Sequence, residues 1–129
     1  MAEVQPDIAV YRLMEPDAFA AFREEGRFRG SEADRRDGFI HFSRADQVPA
    51  TAERHYGGHD ALVLVEVATA PLIDFMHWEE AEGRGGELFP HLRGVLDWGS
   101  VRRTWELGRG PDGWTWPEGV GPESVGPDA

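Results

Sequence analysis

The run Ala61-Leu62-Val63-Leu64-Val65-Glu66-Val67 constrains this chain most, because it is apolar at every position except Glu66. A strand half exposed to water alternates apolar and polar side chains, whereas one covered on both faces reads as a continuous β-branched run. The segment is therefore expected to be a central strand buried on both faces. Around it, Ile8 to Met14, Gly38 to Ser43, Met76 to Glu79 and Val101 to Leu107 carry the β-branched and aromatic character of further strands. Two segments change period. Glu15-Pro16-Asp17 opens a helix with Phe19 and Phe22 on one face and Gly26 at its end. Ser43 stands three residues before Asp46, a capping-box spacing, ahead of Val48, Ala52 and Tyr56 on the buried side of a second helix that closes at Gly57-Gly58. Pro49 confines the regular part of that helix. The polar stretch Arg27 to Asp37 and the glycine-rich stretch Glu80 to Glu87 are expected to be exposed loops. Strands interleaved with two short helices, without a repeat, give an α+β fold.

Length sets the domain organisation. The chain has 129 residues, enough for one core without staples. Residues 1–107 are expected to form a single domain. Residues 108–129 hold six Gly and four Pro and form a C-terminal tail that propagates neither helix nor sheet far, with Trp114 and Trp116 placed to pin part of it to the body.

Composition removes several chemistries. There is no Cys, and all 13 basic residues are Arg, so a thiolate nucleophile, a Cys-ligated zinc, a Schiff-base lysine and a P-loop lysine are excluded. The net charge of −11 opposes salt-dependent binding to nucleic acid or acidic lipid. No window of about 18 apolar residues is present to span a bilayer, and Met1 to Asp7 has no apolar core of a secretion signal. A cytoplasmic protein acting on a small-molecule ligand is the expectation, with the oligomeric state open.

The residues able to carry chemistry lie in short words. In Gly38-Phe39-Ile40-His41-Phe42-Ser43 the pleat puts Phe39, His41 and Ser43 on one face, with His41 and Ser43 about 6–7 Å apart along the strand. An imidazole and a hydroxyl so placed can share a small ligand; equally, His41 can be a hydrogen-bonded core residue and Ser43 an N-cap. Glu79, beside Trp78, is a candidate acid, base or stabiliser of a developing cation. His91 and Arg93 follow Phe89-Pro90 and can direct two donors at an anion. His41, His91 and Glu79 are also chemically sufficient for a divalent ion, although no local ligand spacing on a helix supports one.

Taken in order, Gly38 to Ser43, Asp46-Gln47-Val48 with Ala52 and His55-Tyr56, Trp78-Glu79, Gly85-Gly86, and Phe89-Pro90-His91-Leu92 with Gly94 and Leu96 resemble the small bacterial family DUF952 over roughly residues 8 to 107. That family is considered similar to the ADP-ribosyltransferase-like fold, a split, mostly antiparallel β structure whose cleft holds NAD in better-known relatives. The resemblance implies a cleft walled by His41 and Ser43, with Glu79 and His91 nearby. It also implies a first-strand residue on the ribose and a glutamate that stabilises an oxocarbenium-like ribose. Two positions depart from the family pattern: Arg12 stands where the first strand often has His, and Arg93 where a Tyr often follows Phe-Pro-His-Leu.

Three functions follow. The leading one is a nucleotide- or NAD-binding module using His41, Ser43, Trp78, His91, Arg93 and Arg12. The first alternative is an ADP-ribosyltransferase-like enzyme with Glu79 and His41 as catalytic residues. The second is a metal-dependent hydrolase on His41, His91 and Glu79.

Overall fold

The structure, a computed structural model, describes residues 8–81 and 83–121. In chain order its elements are β1 (Ala9–Met14), α1 (Pro16–Glu25), β2 (Arg27–Phe28), α2 (Glu32–Asp37), β3 (Ile40–His41), α3 (Val48–Tyr56) and β4 (Ala61–Ala68). There follow β5 (Met76–Glu80), β6 (Leu88–Leu92), β7 (Leu96–Asp97), β8 (Val101–Gly110) and β9 (Gly113–Trp114). Every pairing between these strands is antiparallel, and the fold is α+β.

The apolar run is the central strand. β4 lies between β1 and β8 in a sheet of order β1-β4-β8-β9. Its side chains alternate between two cores. Val63, Val65 and Val67 face Phe19, Phe22, Phe42 and Leu92, while Leu62 and Leu64 face Tyr11, Val48, Leu107 and Trp114. Each fully buried Val or Leu is worth about 1.5–3 kcal/mol, so this one strand organises both sides of the molecule. Glu66, the exception in the run, is buried too. Its carboxylate accepts hydrogen bonds from Tyr11 Oη at 2.8 Å and from Arg103 Nε and Nη2 at 3.0 and 3.1 Å. Burial pushes Glu66 up, but the bonds from Arg103 and Tyr11 outweigh it and hold the carboxylate below its usual range. Burial and the same hydrogen bond push Tyr11 up to about 12.

A second sheet, of order β3-β6-β5, meets the first at one seam. Tyr11 and Ser43 exchange both backbone hydrogen bonds at 2.8 Å, so β1 is tied directly to the end of the β3 segment. α1 begins with Pro16 and stops at Gly26, whose φ of 81° is a left-handed conformation that glycine adopts without a Cβ penalty.

The sequence reading needs correction at three places. The segment Arg27 to Asp37 is not an open loop: it contains β2, paired with β7, and α2, so the α-helices among the described residues number three rather than two. Ser31 starts α2 with a capping box, in which its hydroxyl accepts from the Asp34 N–H and the Asp34 carboxylate accepts from the Ser31 N–H. Ser43 does not cap the second helix, because its backbone belongs to the seam with Tyr11. Gln47 instead closes that turn on the Arg44 N–H at 2.9 Å, and Pro49 sits in the first turn of α3. The last strand runs past Leu107 to Gly110, turns at Pro111-Asp112 and returns as β9, and Trp114 is buried against Tyr11 and Leu107.

Candidate functional site

Arg12 is the residue around which a site is built. It is a strand residue whose side chain is only 10% exposed, and a guanidinium cannot be neutralised by losing its proton, so its charge must be answered in place. Asp34, 2% exposed, answers it: Arg12 Nη1 lies 2.9 Å from Oδ1 and Nη2 2.9 Å from Oδ2. This is the two-pronged arginine–carboxylate geometry. Arg12 Nη1 also donates to the His41 carbonyl at 3.0 Å, and the guanidinium lies 5.1 Å from the centroid of Phe28. Its Nε is buried and has no partner among the described residues.

Asp34 is a hub. It accepts from the Ser31 hydroxyl at 2.9 Å, from the His41 N–H at 3.1 Å, and lies 2.6 Å from His41 Nδ1. Burial pushes its carboxyl up, yet the His41 hydrogen bond and the Arg12 charge prevail and hold it far below the usual carboxylate range. The far nitrogen of the same imidazole, His41 Nε2, lies 3.0 Å from Asp37 Oδ2. One histidine thus bridges two carboxylates of α2.

In front of Arg12 is a cleft of about 380 Å³ between the end of β1, α1 and the segment from β2 to α2. Leu13, Met14, Phe22, Phe28 and Tyr56 give it apolar and aromatic walls. Arg27, Arg29 and Arg35 stand on its rim against Glu15 and Glu25. Arg29 and Arg35 have no ion-pair partner among the described residues, and Arg27 makes only an exposed contact of 3.6 Å with Asp97. A cleft of this size with apolar walls and convergent donors suits a small molecule.

Residues 13–104 match the family model described as a protein of unknown function, DUF952. The chain belongs to the DUF952 family. It is similar to protein CC0527 from Caulobacter crescentus. In the crystal structure of that protein the identity is 37% over 81% of this chain and 90% of that one, with a TM-score of 0.75. In its solution structure the identity is again 37%, over 82% and 90%, with a TM-score of 0.72. No curated protein matches the chain.

Of the candidates named from sequence, the DUF952 cleft is lined by Arg12 alone. His41 stands behind it, through Asp34. His91, Glu79 and Arg93 form a neighbouring cluster that touches His41. The His91 ring stacks on Phe39 at 4.1 Å and meets His41 edge-on at 5.3 Å. Glu79 takes His91 Nδ1 at 2.9 Å on one oxygen and Arg93 Nη2 at 2.7 Å on the other. Burial lowers the His91 pKa, opposed by the Glu79 bond and reinforced by His41. The ring is therefore expected to be neutral at pH 7, and its buried Nε2 has no partner among the described residues. Ser43 is buried, with its hydroxyl 3.1 Å from Thr51 Oγ1, and Trp78 packs on the other face of β5 beneath Arg44. Both His41 nitrogens face carboxylates, Asp34 and Asp37, and His91 Nδ1 faces Glu79, and among the described residues no three His, Asp or Glu side chains are disposed to hold a metal ion.

Sequence reasoning missed Asp34, Arg29, Arg35 and Tyr56. For Asp34 a signal was present, the Ser31-x-x-Asp34 capping box; for the arginines it was their density between 27 and 36 in a chain of net charge −11. Among the described residues no helix is long and apolar enough to cross a membrane.

Proposed function

We propose that the cleft in front of Arg12 binds a small anionic ligand of the nucleotide or NAD-like class. The observation that carries this reading is the buried Arg12 guanidinium, with its Nε unspent, at the back of a cleft whose rim brings in two unpaired arginines. A strongly acidic chain gains nothing in stability from collecting like charges, and a phosphate supplies the acceptors these donors lack. Phe28 and Tyr56 offer aromatic surface for a ring attached to it. The resemblance read from the sequence to the ADP-ribosyltransferase-like fold supports ADP-ribose or NAD among such ligands.

The reading is one of binding. Glu79, which would stabilise a ribosyl cation, is engaged by Arg93 and His91 and does not line the cleft. Calorimetric titration of the full chain with ADP-ribose, NAD and AMP tests the reading. Arg29→Gln and Arg35→Gln should each weaken binding about tenfold, or 1.4 kcal/mol, while the melting temperature of the free protein stays unchanged, since both side chains are exposed. Binding indifferent to both substitutions, or absent with all three ligands, overturns it. Release of nicotinamide from NAD would extend the reading from binding to cleavage of the nicotinamide glycosidic bond.

A further inference from the structure

We propose that the glycine turn between β5 and β6, packed against α3, is a second site that takes a phosphate group, separate from the cleft. Arg84 is the first observation. Its guanidinium lies over the Phe89 ring at 4.3 Å, and both terminal nitrogens stand 3.5 Å from Thr51 Oγ1. At that distance a hydroxyl satisfies very little of a five-donor group. No carboxylate pairs with Arg84 among the described residues, and Glu87, an acid at the end of the same turn, is held by Arg44 at 3.2 Å.

A second cation is brought to the same turn. Arg54 Nη2 is laid against Gly83, whose φ of 76° is a left-handed conformation that favours glycine. Arg54 too has no ion-pair partner among the described residues. Burial and the neighbouring Arg54 together lower the Arg84 pKa against the pull of Glu87. His55, one residue on, is lowered by burial and then by Arg54 and Arg84. Two guanidiniums without an ion-pair partner among the described residues thus converge in a chain of net charge −11.

The third observation is the backbone. Gly85 and Gly86 have φ of 68° and 82°. The turn closes through the Arg84 and Glu87 N–H groups, donated to Ala81 and Arg84 carbonyls, which leaves the Gly85 and Gly86 N–H groups without an acceptor among the described residues. Successive free N–H groups in left-handed turns make anion-binding concavities. The Thr51 hydroxyl, anchored by Ser43, adds a donor or acceptor at the same place. A tetrahedral phosphate has enough oxygens to meet a guanidinium fork, a hydroxyl and backbone amides together, which a planar carboxylate does not.

Inorganic phosphate titrated into the ¹⁵N-labelled full chain, followed by amide chemical shifts, tests this. The Gly85, Gly86 and Thr51 amides should move saturably, with half-saturation near about 1 mM. Arg84→Gln should weaken that response at least tenfold and Arg84→Lys by less, because lysine keeps the charge and loses the fork. Arg35→Gln, on the cleft rim, should leave it intact. The rest of each spectrum reports that the variant is folded. Glycine amides that stay still, or that move equally in Arg84→Gln, overturn the proposal, as do shifts confined to residues 27–35.

Discussion

Asp34→Asn keeps the shape of the side chain at the centre of the Arg12 network and removes its charge. Asp34 is 2% exposed and accepts hydrogen bonds from Arg12, Ser31 and His41. Removing one partner of a buried ion pair costs about 3–5 kcal/mol, because the remaining charge stays buried without compensation. The amide recovers part of the hydrogen bonding, which puts the expected loss at the lower end, about 3 kcal/mol at pH 7. For a domain of this size each kcal/mol shifts the midpoint by roughly 3–5 °C, so thermal unfolding should move down by about 10–15 °C. The sign of the pH dependence follows from the depressed carboxyl. A group whose folded pKa lies below its unfolded value contributes stability that is present above the unfolded pKa and fades as pH falls towards the folded one. With an unfolded value of about 3.9, roughly 1.3 kcal/mol of the difference between wild type and variant should disappear between pH 7 and pH 3. Urea unfolding followed by circular dichroism at both pH values measures this. A loss below about 1 kcal/mol at pH 7, or a gap that does not narrow at pH 3, would refute the claim that Asp34 is an ionised hub.

Three further outcomes test other parts of the structure. Glu66→Gln should lower the Tyr11 pKa from about 12 without returning it to 10, since burial is the larger cause and persists; ultraviolet titration of the phenol reads this directly. Gly26→Ala should cost about 1–2 kcal/mol in urea unfolding through backbone strain alone, because the φ of 81° disfavours a Cβ while nothing lies within 4 Å of one. Trp114→Ala should cost about 3–5 kcal/mol, a value expected of a core aromatic and far above that of a residue on a loose tail.

The central strand was legible because six apolar residues in a run of seven leave little choice of structure, and α1 was legible from Pro16 at its start and Gly26 at its end. Arg12 could be named as a ligand residue but not given its partner. Asp34 lies 22 positions away, and its burial depends on a six-residue helix whose charged composition imitates an exposed loop. The same density of charge hid the rim arginines. Ser43 shows the converse. Its spacing to Asp46 satisfies a local rule, yet the seam with Tyr11, 32 residues earlier, claims its backbone first. His91 and Glu79 could be grouped as candidates from the sequence but not placed in contact, and their meeting follows from the register that sets His77 opposite His91 and so places Glu79 diagonally across from it.

The order in which β4 finds its neighbours bears on how this protein is made. On the ribosome β1 emerges well before β4, but β8 follows about 40 residues after it, a delay of several seconds at ordinary rates of elongation. During that interval the most apolar strand of the molecule has one unpaired edge, and Trp114, which closes one of its two faces, has not yet been synthesised. A nascent chain in which β4 has left the ribosome and β8 has not would therefore present β1 and β4 with one apolar edge open. Chaperone association should be densest over that window and fall once the β8–β9 hairpin has cleared the exit tunnel.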